Sequence, residues 1–158
     1  MKISVQEAGF DLGQESQDFA AGHRDMGAIV TFTGIVRDLP DDPLQAMEIE
    51  HYPGMTESAL SEMAETAMAR FSLGDALVIH RFGRLLPGEM IMMVATAARH
   101  RKDAFEAAEF LMDYLKSRAP FWKREITAKG ADWVASKAED EDALARWQAA
   151  RRPFSWPA

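Results

Sequence analysis

Few folds accommodate the order in which apolar runs follow one another between Ala46 and Ile126. Ala46 to Tyr52 reads as a strand, with Met47, Ile49 and His51 on one side and Glu48, Glu50 and Tyr52 on the other, and Pro53-Gly54 ends it. Thr56 is placed to cap a helix in which Leu60, Met63, Ala64, Ala67, Met68 and Phe71 recur at helical spacing. Gly74 breaks the chain, and Ala76–Phe82 and Met90–Ala97 follow as apolar strands joined through Leu85-Leu86-Pro87-Gly88. A second helix and an extended run, Phe121–Ile126, complete the order strand, helix, strand, strand, helix, strand. That order matches the split β-α-β-β-α-β arrangement. It predicts an α+β fold with a mixed or antiparallel sheet and its helices on one face.

In the second helix, Asp103 is read as the N-cap with Glu106 completing a capping box, and Phe105, Ala108, Leu111, Met112 and Leu115 fall on one inward face. Pro120 stops the helix near Arg118, leaving Lys116 in its last turn. Beyond it, Phe121, Lys123 and Glu125 share one side of extended chain. Towards the N-terminus, Lys2–Val5 is an edge-strand candidate and Asp11–Ala21 a helix interrupted by Gly13. Gly27–Arg37 is a β-branched strand with a bulge expected at Gly34, and the turn-rich connection Asp38–Pro43 frees Arg37 to point into a site. Asp132–Ala135 reads as a further short strand, and Glu139–Ala150 as a polar helix anchored by Leu144 and Trp147. The expected organisation is one domain over residues 1–150 and a short tail over 151–158.

The chain carries a net charge of −7, yet from Arg99 to Arg124 seven Lys and Arg face four acids, a local +3 on an acidic protein. Basic groups at both ends of one helix suit phosphate or carboxylate, which guanidinium and ammonium donors recognise. They also suit a plain solvated face, since Lys116 and Arg118 lie where the helix dipole favours cations. The acidic balance argues against nucleic acid as a partner. No apolar run reaches the length of a membrane span and no signal-peptide core opens the chain, so a cytoplasmic protein without membrane attachment is expected. There is no cysteine. Disulfides, thiolate metal sites and cysteine nucleophiles are therefore excluded, and any sulfur chemistry must draw its sulfur from another molecule.

GxGxxG, Walker, GxSxG and HExxH motifs are absent. The histidines at 23, 51, 80 and 100 are scattered, with no metal-ligand spacing, so no metal is expected. His51 and His80 lie in strands and read as hydrogen-bonded sheet residues. His100 stands between a strand end and a helix start, flanked by Arg99 and Arg101, where an anion is favoured.

The segments GAIVTFTGIVRD (27–38), EHYPGMTESAL (50–60), VIHRFGRLLPGE (78–89) and HRKDAFEAAEFLMDYLKSRAPFWKRE (100–125) together resemble the large, catalytic subunits of molybdopterin synthase, the MoaE family. The resemblance runs in consistent order from about Gly27 to Trp147. It implies an α/β-hammerhead fold with an added small β subdomain, and an enzyme that converts cyclic pyranopterin monophosphate into the dithiolene molybdopterin without a resident cofactor. It also implies that the sulfur arrives as the C-terminal thiocarboxylate of a small ubiquitin-like partner, and that two large subunits form a central homodimer within a heterotetramer. Carried over by position, Lys116 and Lys123 match the family's catalytic lysines, with Lys116 assisting proton transfer and Lys123 orienting substrate or intermediate. Arg37, His100 and Arg101 match substrate-binding residues, as do Arg124 and Glu125 beside Lys123. Lys137 stands where the family has a pocket arginine, and Arg99 where a small residue is expected. Set against this are a non-catalytic module that binds a phosphorylated metabolite or an acidic peptide tail, and a structural dimerisation domain. Retention of both lysines speaks against the first and the basic clusters against the second.

Overall fold

A computed structural model describes residues 1–135 and 138–149. In chain order the elements are β1 (Lys2–Gln6), α1 (Leu12–Ala21), β2 (Ala28–Ile35), β3 (Ala46–His51), α2 (Met55–Phe71), β4 (Asp75–Arg81), β5 (Gly83–Leu85), β6 (Met90–Ala98), α3 (Arg101–Ser117), β7 (Phe121–Thr127), β8 (Gly130–Trp133) and α4 (Ala138–Ala149). The strands form two four-stranded sheets, ordered β1-β4-β6-β2 and β5-β3-β7-β8.

The first sheet is mixed, with β1 parallel to β4 at one edge and the other pairs antiparallel. Its central strands are continuous apolar runs because both of their faces are covered. Ala76, Val78, Val94 and Ala98 pack under Leu60, Ala64 and Ala67 of α2 and Phe110 and Leu111 of α3. Leu77, Ile79, Met93 and Ala95 face the other way, onto Phe19 of α1. Each large apolar side chain so buried contributes roughly 1.5–3 kcal/mol. The two long helices thus share one face, as the element order predicts, and the short α1 closes the other.

The outer strands of the six-element order do not join that sheet. β3 and β7 instead pair with each other, Ile49 opposite Lys123 and His51 opposite Phe121, with β5 and β8 on their flanks in a wholly antiparallel sheet. This is the small β subdomain attached to the main α+β body. Gly83 makes the passage between sheets: its φ of +89° turns the chain from β4 into β5, and a Cβ there would sit 3.1 Å from the Glu7 side chain. β5 spans three residues, too few for a periodic signal, and the sequence reads this segment only as a connection.

Several local expectations need correction. α3 begins at Arg101 with His100 at its N-cap, and Asp103 lies in the first turn, where the helix dipole favours its charge without a capping bond. Phe105 is 61% exposed. The buried stripe is Ala104, Ala107, Ala108, Phe110, Leu111 and Leu115, since the small alanines let α3 approach the sheet closely and turn Phe105, one position along, to solvent. α2 begins at Met55 after Gly54, whose N–H donates to Glu57 Oε2 at 2.7 Å. Thr56 lies inside the helix, with Oγ1 donating to the Tyr52 carbonyl at 2.9 Å. β8 starts two residues before the strand expected at Asp132. The irregularity expected at Gly34 is present, the β2 register shifting between Gly34 and Ile35, and Leu144 of α4 is 1% exposed, whereas α1 runs through Gly13 without a break. Among the described residues no helix is long and apolar enough to cross a membrane.

Candidate functional site

Strand alternation puts Phe121, Lys123 and Glu125 on one face of β7, and the β3 register puts Met47, Ile49 and His51 on the same face. Pro120 separates β7 from α3 by a short turn, in which Phe121 N–H donates to the Ala119 carbonyl at 2.8 Å. The end of α3 is thereby folded against the start of β7. Lys116, in the last helical turn, and Lys123 meet at an open cavity of about 230 Å³ whose wall also includes His80, Phe121, Leu115 and Asp140.

Charge in this cavity is unevenly stabilised. Burial pushes the Lys123 ammonium below the usual lysine range, the Lys116 charge pushes it further, and Asp140 opposes them. Lys116 is about half exposed and lies 3.8 Å from Asp140 Oδ1. Burial and the Lys123 charge together push His80 down to about 3, so its imidazole is neutral at physiological pH. The arrangement is a standing cation beside a buried amine with a weakened hold on its proton. It suits binding of an anion with proton transfer at the same place.

Asp140 reaches the cavity because α4 is fastened along α3. Ser117 Oγ donates to the Asp140 carbonyl at 3.1 Å, Arg118 pairs with Glu141 at 3.0 Å, and Trp147 Nε1 donates to Asp113 Oδ2 at 2.6 Å. Arg70 of α2 clamps the far end, its guanidinium 5.3 Å from the Trp147 ring and donating to the Trp147 carbonyl at 3.1 Å.

The remaining candidate residues stand apart from this cavity. Arg124 projects from the opposite face of β7, donates to Glu48 directly across the strand pair, and lies 5.3 Å from the Trp133 ring. Arg84 approaches the same Glu48 at 3.8 Å, which makes a cross-strand row on the outer face of the small sheet. Glu125 shares the Lys123 face, two residues along and opposite Met47. Arg37 is exposed just beyond β2. His100 and Arg101 are exposed at the N-terminus of α3, and at 1.5 Å per residue the helix sets them about 24 Å from Lys116. Gly27 lets β2 press against that corner, since a Cβ there would lie 2.5 Å from the Arg99 carbonyl oxygen. Lys137 lies outside the described residues.

Two wall residues, His80 and Asp140, escaped the sequence reading. A histidine in an apolar strand reads as core, and Asp140 is one of several acids opening a polar helix. A further recess of about 300 Å³ between α2 and α3, with Glu62 and Arg118 as its only charged groups, gathers none of the candidate residues.

Residues 5–118 match the family described as MoaE protein. Over 147 residues the chain is 67% identical to the molybdopterin synthase catalytic subunit of Cereibacter sphaeroides, covering 93% of this chain and all 100% of that one. Over 146 residues it is 56% identical to the protein of the same description from Ralstonia nicotianae, covering 92% and 83% of the two chains. Of solved structures, the molybdopterin biosynthesis MoaE protein from Burkholderia ambifaria aligns with a TM-score of 0.80 and 50% identity, over 93% of this chain and 97% of that one.

Proposed function

The chain belongs to the MoaE family, and from that membership we propose that it is the catalytic subunit of a molybdopterin synthase. In this reading it is a sulfurtransferase that moves sulfur from the C-terminal thiocarboxylate of a small ubiquitin-like partner onto cyclic pyranopterin monophosphate, forming the dithiolene. Two copies form the centre of a heterotetramer. The observation that carries the reading is the meeting of Lys116 and Lys123, drawn from a helix end and a strand start, in one cavity.

That cavity favours a division of labour opposite to the one suggested by position alone. Lys116, half exposed and 3.8 Å from Asp140, anchors the anionic end of the thiocarboxylate or the phosphate. Lys123, whose ammonium burial disfavours, is the readier to hand a proton on and take it back as the partner's sulfur is transferred. Neither needs a cysteine, in keeping with a chain that has none. Arg37, His100 and Arg101 serve as phosphate and pterin contacts. Because His100 and Arg101 lie at the far end of α3 from Lys116, they serve the site of the neighbouring copy. Glu125 borders the site on the Lys123 face, Arg124 holds that strand in place through Glu48, and Lys137 adds a further cation.

The test is to incubate the protein with cyclic pyranopterin monophosphate and a thiocarboxylated small partner, and to follow dithiolene as its fluorescent oxidation product. Product is expected from the native chain, with a loss of at least about a hundredfold in Lys116→Ala and substantial retention in Lys116→Arg, which keeps the cation. Undiminished turnover in Lys116→Ala would overturn the assignment.

A further inference from the structure

His80 is nearly enclosed, at 4% exposure, yet it lines the cavity that holds the two lysines. Two contacts fix its ring. Nδ1 lies 2.8 Å from the Arg81 carbonyl oxygen, an arrangement only an N–H can satisfy, so the proton of the neutral imidazole sits on Nδ1. The ring also stacks on Phe121 with centroids 3.7 Å apart and planes 18° from parallel. Nε2 is left as a bare lone pair with no hydrogen-bond partner among the described residues. Only Arg124 Nε is both enclosed and without a partner among those residues, so Nε2, equally partnerless, opens onto the cavity.

Phe121 and Lys123 are alternate residues on one face of β7, about 7 Å apart along the strand. The stack therefore holds the imidazole over the residue two positions before the lysine, on the wall of the same cavity. We propose that His80 is a positioning residue of the Lys123 centre: its bare Nε2, unpartnered in the resting chain, is the acceptor that the Lys123 ammonium takes up on swinging towards it across the shared cavity wall, and so aims that nitrogen into the cavity. The inference rests on the reading of the cavity as the sulfur-transfer site, and it adds a neutral acceptor to a site otherwise built from charges.

The depressed proton affinity of the imidazole serves this role, because a protonated His80 would repel Lys123 instead of holding it. The other groups facing the pair are Lys116 from α3, Asp140 from α4 and His51 from β3. Of these Lys116 is itself a donor and Asp140 lies at Lys116, while His51 turns its Nδ1 to Thr56 Oγ1 at 3.2 Å and packs its ring on Phe82, 4.5 Å between centroids. The neighbouring Arg81 side chain turns away to the Glu7 carbonyl and Glu89. The Nε2 lone pair is thus the acceptor at hand for Lys123.

Two substitutions separate the halves of the ring. His80→Asn keeps a donor where Nδ1–H stood and loses the acceptor, whereas His80→Gln places an amide oxygen near the position of Nε2. The first measurement needs no turnover: the pH dependence of amine labelling at Lys123 in the full chain, read by mass spectrometry. With the acceptor gone the ammonium is less stabilised, so the labelling midpoint in His80→Asn is expected to fall by about one pH unit, while His80→Gln stays near the native value. In the partnered enzyme, the acid limb of the kcat/KM profile should move with the labelling midpoint, and kcat/KM at pH 7 should fall about tenfold in His80→Asn only. Should the Asn variant fail to fold, nitrogen NMR of the native protein decides: a bare Nε2 from pH 5 to 8 supports the role, and an Nε2–H tautomer or an imidazolium at pH 7 overturns it. Lys123 midpoints unmoved in both variants would also overturn it, leaving His80 a stacked core residue. Failure of the synthase reading would look different, as native protein that makes no dithiolene while its Lys123 midpoint still answers to His80.

Discussion

The Lys123 ammonium is disfavoured by burial and by the Lys116 charge, and Asp140 restores only part of the loss. Its folded pKa lies below the ordinary value of 10.5, so between the folded value and 10.5 the unfolded chain binds more protons than the folded one. Stability therefore rises with pH through that window, and below it the cost of the buried charge stands in full. Lys123→Met, which keeps the stem and removes the charge, is expected to raise unfolding stability at pH 7 by about 1 kcal/mol, the usual exchange of function for stability. The gain should fade towards pH 10.5. Urea titrations at pH 7 and pH 10 measure it, and a loss of stability at pH 7 would mean that the ammonium is better solvated than its burial implies. At this scale the sequence was partly legible. Alternation alone put Phe121 and Lys123 on one face, and the helix limit set by Pro120 put Lys116 in a last turn. The part played by His80 was not legible, because nothing within the apolar run Ala76–Phe82 announces a ring that will stack on a strand of another sheet.

Among the elements, α3 carries most of the candidate residues: Lys116 stands at one end, His100 and Arg101 at the other, and its buried stripe fixes the position of both. Helical spacing revealed the helix, its end and the inward residues Ala108, Leu111 and Leu115, but took Phe105 for core and passed over Phe110. Periodicity weighs large apolar side chains, whereas the contact with the sheet is made by Ala104 and Ala107, which such weighting undervalues. The two phenylalanines give a clean contrast. Phe110 is 1% exposed and lies edge-on to Phe71, 5.4 Å between centroids, and to Trp147 at 5.5 Å. Truncating it to alanine should cost about 3–5 kcal/mol. Phe105→Ala should lie within about 0.5 kcal/mol of the native chain. Equal losses at the two positions, read from chemical denaturation, would mean that the exposed ring is covered by something outside this chain. Phe110 also supports Trp147, and through it the helix that brings Asp140 to the cavity, so its loss should loosen the site together with the core.

At the scale of the molecule, the division into two sheets could not be read from element order, because the same order serves a single sheet equally well. What decides it is the positive φ at Gly83 and the short turn at Pro120, which send β5 and β7 to β3 instead of leaving them beside β4 and β6. The consequence is that the cavity holding Lys116 and Lys123 lies at the junction of the two sheets, with His100 and Arg101 at the opposite end of α3, about 24 Å of helix away. Side chains of this length cannot close that gap within one chain. If these residues contact the substrate held at Lys116, they do so across a twofold interface, where each copy lends its α3 N-terminus to the other. Lys116→Ala and Arg101→Ala would then damage different halves of each site, and either variant alone would be inactive. Mixed after reversible dissociation, half of the dimers become hybrids in which one site collects both substitutions and the other collects neither. Activity should therefore return to about a quarter of the native value. Recovery to that level, read by the dithiolene assay on remixed chains with partner in excess, places the two ends of α3 in one site. Persistent inactivity, with hybrid formation verified by native mass spectrometry, would confine the site to a single chain and leave the α3 N-terminus to some other anion.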